Sequence, residues 1–250
     1  MKNKTITPRQ MAALAVKRLK EKSDPVRAKG AQNYFKEEFK CWGWTAPQIR
    51  QLAAEFYEMI KTTWGVGEAI ELCDILLPNL YHEAKVMGIL ILERYQRQFP
   101  RSLFFKIKGW LGKNYLNSWA AVDVLCPISV RALLEKYPGF VEEMQTWARS
   151  PNRWVRRASI VSFIKLSKKP AFQDAVYEIA ESHFKDGDDL IQKANGWLLR
   201  EAGKADMIRL ERFLLEKGPA IPRTTLRYAI ERFDEQKRKT LLQATKAGKK

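Results

Sequence analysis

A-S-I-V-S-F-I, residues 158–164, is the stretch on which the fold class turns. By propensity, Ile160-Val161-Ser162-Phe163-Ile164 could be a strand. By spacing, Ala158, Val161 and Ile164 continue a helical stripe, and that reading agrees with the chain on either side. Upstream, helices are expected over Leu103 to Trp110, Ser129 to Lys136, Gly139 to Arg149 and Asn152 to Leu166. Downstream they are expected over Ala171 to Phe184, Asp188 to Glu201, Lys204 to Glu216, Pro222 to Arg232 and Glu235 to Ala244. Strand signals are otherwise almost absent.

The N-terminal half keeps the same rhythm. Met11, Leu14, Ala15 and Leu19 mark a first helix ending near Ser23-Asp24-Pro25, and Tyr34, Phe35 and Phe39 mark a second. After the aromatic loop C-W-G-W-T (residues 41–45), Pro47 suits the first turn of a helix striped by Leu52, Ala53, Phe56 and Ile60. Gly65 and Gly67 break that helix, and another runs from Glu68 to Leu77. The segment Glu83 to Gln98 is apolar on more than one face and belongs in the interior. Strong rhythm with weak self-similarity predicts an all-α fold, an α-solenoid of HEAT-like antiparallel helix pairs that leaves a concave surface free. A compact helical bundle is the alternative. The expectation is one helical-repeat domain over residues 1–245, with 246–250 a frayed basic tail.

The chain carries 45 Lys+Arg against 28 Asp+Glu, a net charge of +17 that favours polyanionic partners. Nucleic acid comes first among these, and an anionic membrane surface second. Cys41, Cys73 and Cys126 are too scattered for a disulfide framework, which points to free thiols and a reducing compartment. His82 and His183 lie far from the cysteines, so no metal site is expected. The opening M-K-N-K-T-I-T-P-R-Q lacks a secretory apolar run, and the apolar stretch around Met87 to Leu92 is too short to cross a bilayer. A cytoplasmic protein is expected.

The charges are unevenly placed. Between Glu93 and Glu135 the only acid is Asp123, among Arg94, Arg97, Arg101, Lys106, Lys108, Lys113 and Arg131. It lies in K-N-Y-L-N-S-W-A-A-V-D-V-L-C-P, residues 113–127, where Asn117 or Ser118 offers an N-cap and Pro127 a stop. Trp119 and Asp123, four apart, share one helix face. Such a carboxylate either pairs with an arginine or caps a turn, or it is the anion of a site that acts on a cationic centre within a polyanion.

A second acid-free stretch lies between Glu143 and Asp174, with S-P-N-R-W-V-R-R-A-S (residues 150–159) at its heart. Arg153, Arg156 and Arg157 fall along one helical side. Their mutual repulsion is understandable if phosphates neutralise them, and a solvated basic face is the other reading. In D-D-L-I-Q-K-A-N-G-W-L-L-R-E, residues 188–201, the two aspartates complement a helix N-terminus and Leu190, Ala194 and Leu198 form the buried stripe. Lys193 and Arg200 add cations there. Trp197 is either core or site, and Gly196 would let another backbone come close.

S-W-A-A-V-D, N-R-W-V-R-R-A-S and I-Q-K-A-N-G-W-L-L-R-E, in that order, together with N-Y-F-K and G-W-T-A-P-Q-I-R upstream, resemble the AlkD-like DNA alkylation repair glycosylases over roughly Ala31 to Glu231. The resemblance implies a HEAT-like fold holding duplex DNA on a concave basic face. It also implies hydrolysis of the N-glycosidic bond of purines alkylated at N3 or N7, starting base excision repair without metal or cofactor. On this resemblance Asp123 is the catalytic aspartate and Trp119 and Trp197 grip the deoxyribose. Arg157 would bind phosphate and Tyr34 would lie near DNA. Independently of the resemblance, the cations Arg153, Arg156, Lys193 and Arg200 of the same stretches are expected as further DNA contacts. A monomer is expected. The competing reading is a non-catalytic relative that binds branched or distorted DNA.

Overall fold

The computed structural model describes residues 6–246, and among these it is helical with no strand. The expected tail falls almost wholly outside the described residues, beginning at 247. The chain divides into two compact units between Leu125 and Cys126.

The first unit contains α1 (Pro8–Glu21), α2 (Pro25–Ala31), α3 (Ala46–Ile60), α4 (Val66–Leu76), α5 (His82–Glu93), α6 (Ser102–Gly112) and α7 (Trp119–Leu125). Its helix starts follow from local chemistry. Thr7 and Gln10 close a capping box ahead of Pro8, and Thr45 and Gln48 do the same for α3, where Pro47 occupies the first turn. Helix α5 is the core element, buried from Glu83 to Leu92 under α1, α3, α4 and α7. That burial explains its apolar character on every face.

The second expected helix is corrected. Helix α2 ends at Ala31, a 3₁₀ turn covers Gln32–Tyr34, and Phe35 is extended. The Gln32 side chain competes with the helical ladder. Its Nε2 donates to the carbonyls of Phe35 at 3.1 Å and Glu37 at 2.9 Å, and its Oε1 accepts from Phe39 N–H at 2.8 Å. Phe35 and Phe39 therefore stack on each other, centroids 3.7 Å apart, instead of lining a helix.

The second unit opens with a π-helical turn, Cys126–Val130. It continues through α8 (Arg131–Lys136), α9 (Phe140–Ala148), α10 (Arg153–Val161), α11 (Gln173–Ser182), α12 (Asp189–Gly203), α13 (Met207–Lys217), α14 (Arg223–Ala229) and α15 (Glu235–Ala244). Pro127 does not stop the chain's helical course as expected. A proline inside a helix lacks the N–H for the regular bond, and widening to a π turn is one way to carry it.

The stretch 158–164 is helical through Val161. Beyond that the chain tightens, with Phe163 N–H bonding Ile160 O at 3.0 Å and Ile164 N–H bonding Val161 O at 3.3 Å. The expected helix from Asn152 to Leu166 is thus shorter, and the Ser162 hydroxyl caps its end on Ala158 O at 2.7 Å. Helix α12 is the centre of this unit and packs against α10, α11, α13 and α14. At Gly196 a Cβ would lie 2.4 Å from Tyr228 Cβ and 2.6 Å from Thr225 O, so the close approach of α14 requires glycine. Among the described residues no helix is long and apolar enough to cross a membrane.

Candidate nucleic-acid interface

Helix α7 carries the pair singled out by the sequence. Ser118 is its cap, its hydroxyl accepting from Ala121 N–H at 3.3 Å. Trp119 and Asp123 follow a turn apart, both half-buried. The Trp119 ring is not bare on both sides. Phe35 stacks on it at 4.9 Å with planes 13° apart, so Phe39, Phe35 and Trp119 form a continuous stack. A ligand stacking on the indole cannot use the face that Phe35 covers.

The loop leading to α7 is fixed from below. Lys85, buried on α5, donates from Nζ to Leu77 O at 3.2 Å and to Tyr115 O. Burial lowers its amine to about 8. Beside it, His82 has an Nδ1 that is buried and without a hydrogen-bond partner, and burial, then the Lys85 charge, push the imidazole down to about 4. His82 and Lys85 form one wall of a cleft whose other sides are Phe35, Phe39, Asn117 and Ser118.

The aromatic loop ahead of α3 is built around a buried carboxylate. Glu83 accepts the backbone N–H groups of Trp42 at 2.9 Å, Gly43 at 2.9 Å and Trp44 at 3.1 Å. Gly43 sits at φ +86, and a Cβ there would meet Asp24 O at 2.2 Å. Trp42 stacks on Tyr81 at 4.3 Å, and Trp44 Nε1 donates to Leu19 O at 2.9 Å. These tryptophans are accounted for by structure. Tyr34, by contrast, stands on its 3₁₀ turn 78% exposed.

In the second unit, Asn152 caps α10 by accepting from Trp154 N–H at 2.8 Å. The arginine row that follows lacks acids nearby in sequence but not in space. Arg153 pairs with Asp188, and Arg156 pairs with Asp186 at 2.7 Å while donating to Ser150 O and Pro151 O at 3.0 Å. Arg157 is buried and donates to Leu190 O at 2.6 Å. The sequence offered phosphates or solvent to relieve this row; aspartates 30 and 35 residues downstream already pair with Arg156 and Arg153. The row staples α10 to the segment entering α12.

His183 belongs to the same region. Its Nδ1 meets Ile179 O at 2.8 Å and its Nε2 meets Ser159 Oγ at 3.2 Å, while burial lowers its pKa. With Nδ1 donating to Ile179 O, Nε2 is left as an acceptor that shares the Ser159 hydroxyl with Arg156 O, which lies 2.7 Å from Ser159 Oγ. On α12, Lys193 pairs with Asp189 at 2.8 Å, and Arg200 pairs with Glu231, just beyond the end of α14. Trp197 is half-buried, with no hydrogen bond or ring stacking among the described residues. The structure thus brings Trp119 and Asp123 together on α7 and groups Arg153, Arg156 and Arg157 around the start of α12. Among the described residues no group of three His, Cys, Asp or Glu side chains could hold a metal ion.

Sequence reasoning missed Phe35 as the partner of Trp119, and it missed Asp186 and Asp188 as partners of the arginines. The first was hidden by an assumed helix. The second had a usable signal, since D-G-D-D at 186–189 is the nearest acid cluster after the acid-free stretch.

Among the described residues the chain is an all-helical array of the helical-repeat class, carrying a half-buried carboxylate one turn from an indole and, on other helices, a cluster of arginines. More specifically, the family model described as DNA alkylation repair enzyme matches residues 15–233, and the chain belongs to that family. A solved structure described as a predicted DNA alkylation repair enzyme from Enterococcus faecalis superposes with a TM-score of 0.74 at 18% identity, covering 85% of this chain and 97% of that one. That likeness speaks to the fold. No curated protein matches the chain.

Proposed function

We propose that the protein is a DNA glycosylase that hydrolyses the N-glycosidic bond of N3- or N7-alkylated purines in duplex DNA. The observation that carries the reading is Asp123, a half-buried carboxylate one turn beyond Trp119 on α7, in a chain of this family. Alkylation at N3 or N7 places positive charge on the purine and makes it a good leaving group. As the C1′–N bond lengthens, its electron pair leaves with the base and the deoxyribose becomes an oxocarbenium ion. Asp123 stabilises that cation and orients the attacking water, as carboxylates do in glycoside hydrolysis. The proton lost by the water leaves through Asp123 or solvent.

Trp119 offers its open face to the sugar, and Trp197 is assigned the same role from α12. A cation held over an indole gains about 1–2 kcal/mol when desolvated. Tyr34, Arg153, Arg156, Arg157, Lys193 and Arg200 are the proposed DNA contacts. Because most of these cations already carry carboxylate partners, they would bind phosphate by sharing a preset guanidinium or ammonium.

The test is release of free 3-methyladenine and 7-methylguanine from methylated DNA under single-turnover conditions. Asp123→Asn should abolish release while keeping duplex affinity within a few-fold. Excision by that variant at the wild-type rate would remove Asp123 from the mechanism. A bulky N7 adduct cleaved about as readily as a methyl one would favour recognition through sugar and backbone over a closed base pocket.

A further inference from the structure

We infer that the groove between α3 and α5 is a phosphodiester-binding subsite, with Arg50 and Arg94 as its anion-binding groups. The inference rests on the proposal that the protein acts on DNA, but it concerns residues to which that proposal gives no part. The groove has a volume of about 430 Å³ and is lined by Arg50, Tyr57, Leu90, Glu93 and Arg94. Arg50 and Tyr57 lie seven apart on α3, two turns along one side. Leu90, Glu93 and Arg94 form the facing edge at the end of α5.

These two guanidiniums differ from the arginines that the sequence made conspicuous. Arg153, Arg156 and Arg200 spend charge on Asp188, Asp186 and Glu231. Arg50 and Arg94 have no ion pair among the described residues and are both exposed. Arg94 is nevertheless held in place, its Cζ 5.5 Å from the centre of the Tyr57 ring, which in turn packs edge-on against Tyr95 at 5.7 Å. An arginine restrained by an aromatic ring and lacking a carboxylate partner loses little entropy on gripping an oxyanion. Glu93 is the one acid lining the groove, against the two cations.

Position connects the groove to the proposed chemistry. Arg50 also lines a smaller cavity walled by Trp44, His82, Leu90 and Val124, and Val124 is the residue after Asp123 on α7. A DNA strand presenting a sugar to Asp123 would run its backbone along this face of the first unit. The phosphate oxygens would take the guanidinium forks bidentately, contributing affinity without sequence information.

The experiment measures binding of the full chain to a short unmodified fluorescein-labelled duplex, by anisotropy, across a series of KCl concentrations. Arg50→Gln with Arg94→Gln should lower the slope of log K against log [KCl] by about 1–2, the contribution of one or two phosphates, and weaken binding about 10- to 100-fold at moderate salt. Arg50→Lys with Arg94→Lys should restore most of the slope, which a misfolded protein could not do. An unchanged slope in the folded Gln/Gln variant, judged by circular dichroism, overturns the subsite. The two readings fail separately. If the wild type releases no alkylated base yet Gln/Gln loses slope, the subsite stands and the glycosylase falls. If the wild type excises and Gln/Gln binds normally, the subsite alone falls, and a wild type that binds no DNA ends both.

Discussion

At the scale of single residues, the decisive contact is the one between Phe35 and Trp119. A near-parallel stack at 4.9 Å fixes the plane of the indole and decides which face it offers. Aromatic pairs of this kind are worth about 0.5–1.5 kcal/mol, so losing the partner should loosen the indole and slow excision about 3- to 10-fold. Phe35→Ala is expected to show that loss in the single-turnover rate, with duplex affinity nearly unchanged, and Phe35→Tyr should recover it. Equal rates for Phe35→Ala and wild type would mean that the stack does not serve Trp119. That Asp123 and Trp119 share one helix was legible because a four-residue spacing is a local fact. Phe35 was not, since its place depends on the Gln32 amide diverting the backbone, which no periodicity reports. Glu83 escaped for a similar reason. A carboxylate on an apolar helix looks like a boundary residue until the N–H groups of residues 42–44 are folded around it.

At the scale of elements, helix existence was readable nearly throughout, because most helices carry an apolar stripe and several, such as α1, α3, α10 and α12, also begin at a capping side chain. What sequence could not supply was how a helix ends when competing bonds are available. Pro127 passes into a π turn, and α10 stops early on serine back-bonds, both being tertiary compromises between intrinsic preference and packing. Gly196 was readable as a point of close approach, and the α12–α14 contact gives that reading a number. With a new Cβ at 2.4 Å from Tyr228 Cβ and 2.6 Å from a backbone oxygen, Gly196→Ala must separate the helices. Overpacking of this kind costs about 1–3 kcal/mol, and the variant should unfold several degrees earlier in a thermal melt. Since Trp197 is the next residue, excision should fall as well. An unaltered melt would show that α14 can yield freely. The arginine row is the complementary lesson. Its local repulsion was visible, but the acids that offset it come from the entry to α12, so its structural share became apparent only once α10 and α12 were packed together.

At the scale of the whole molecule, the net charge of +17 shapes the response to salt, and the two buried histidines contribute to the response to acid. His82 and His183 both have lowered pKa values, in each case chiefly from burial. In the unfolded chain each would titrate near 6.5, whereas folded His82 titrates near 4. Between those values the unfolded state holds the extra proton, so acid favours unfolding. Stability is therefore full above about pH 6.5 and is lost as the pH falls through 6 and 5 toward 4, by about 2–3 kcal/mol from His82 alone. Urea unfolding at pH 7 and pH 4.5 should reveal this as a drop in midpoint concentration. His82→Gln removes the titration, so its midpoint should change less between the two pH values, even if it is lower than wild type at pH 7. Lys85 makes the opposite end of the range informative. Its folded amine titrates near 8, below an unfolded value near 10.4, so the unfolded chain again binds more protons in that window and stability should rise from pH 8 to pH 10. A profile flat from pH 7 down to 4.5 and again from 8 to 10 would mean that neither side chain is as desolvated as its position on α5 requires, and the cleft beside Trp119 would then have to be wetter and looser than this packing describes.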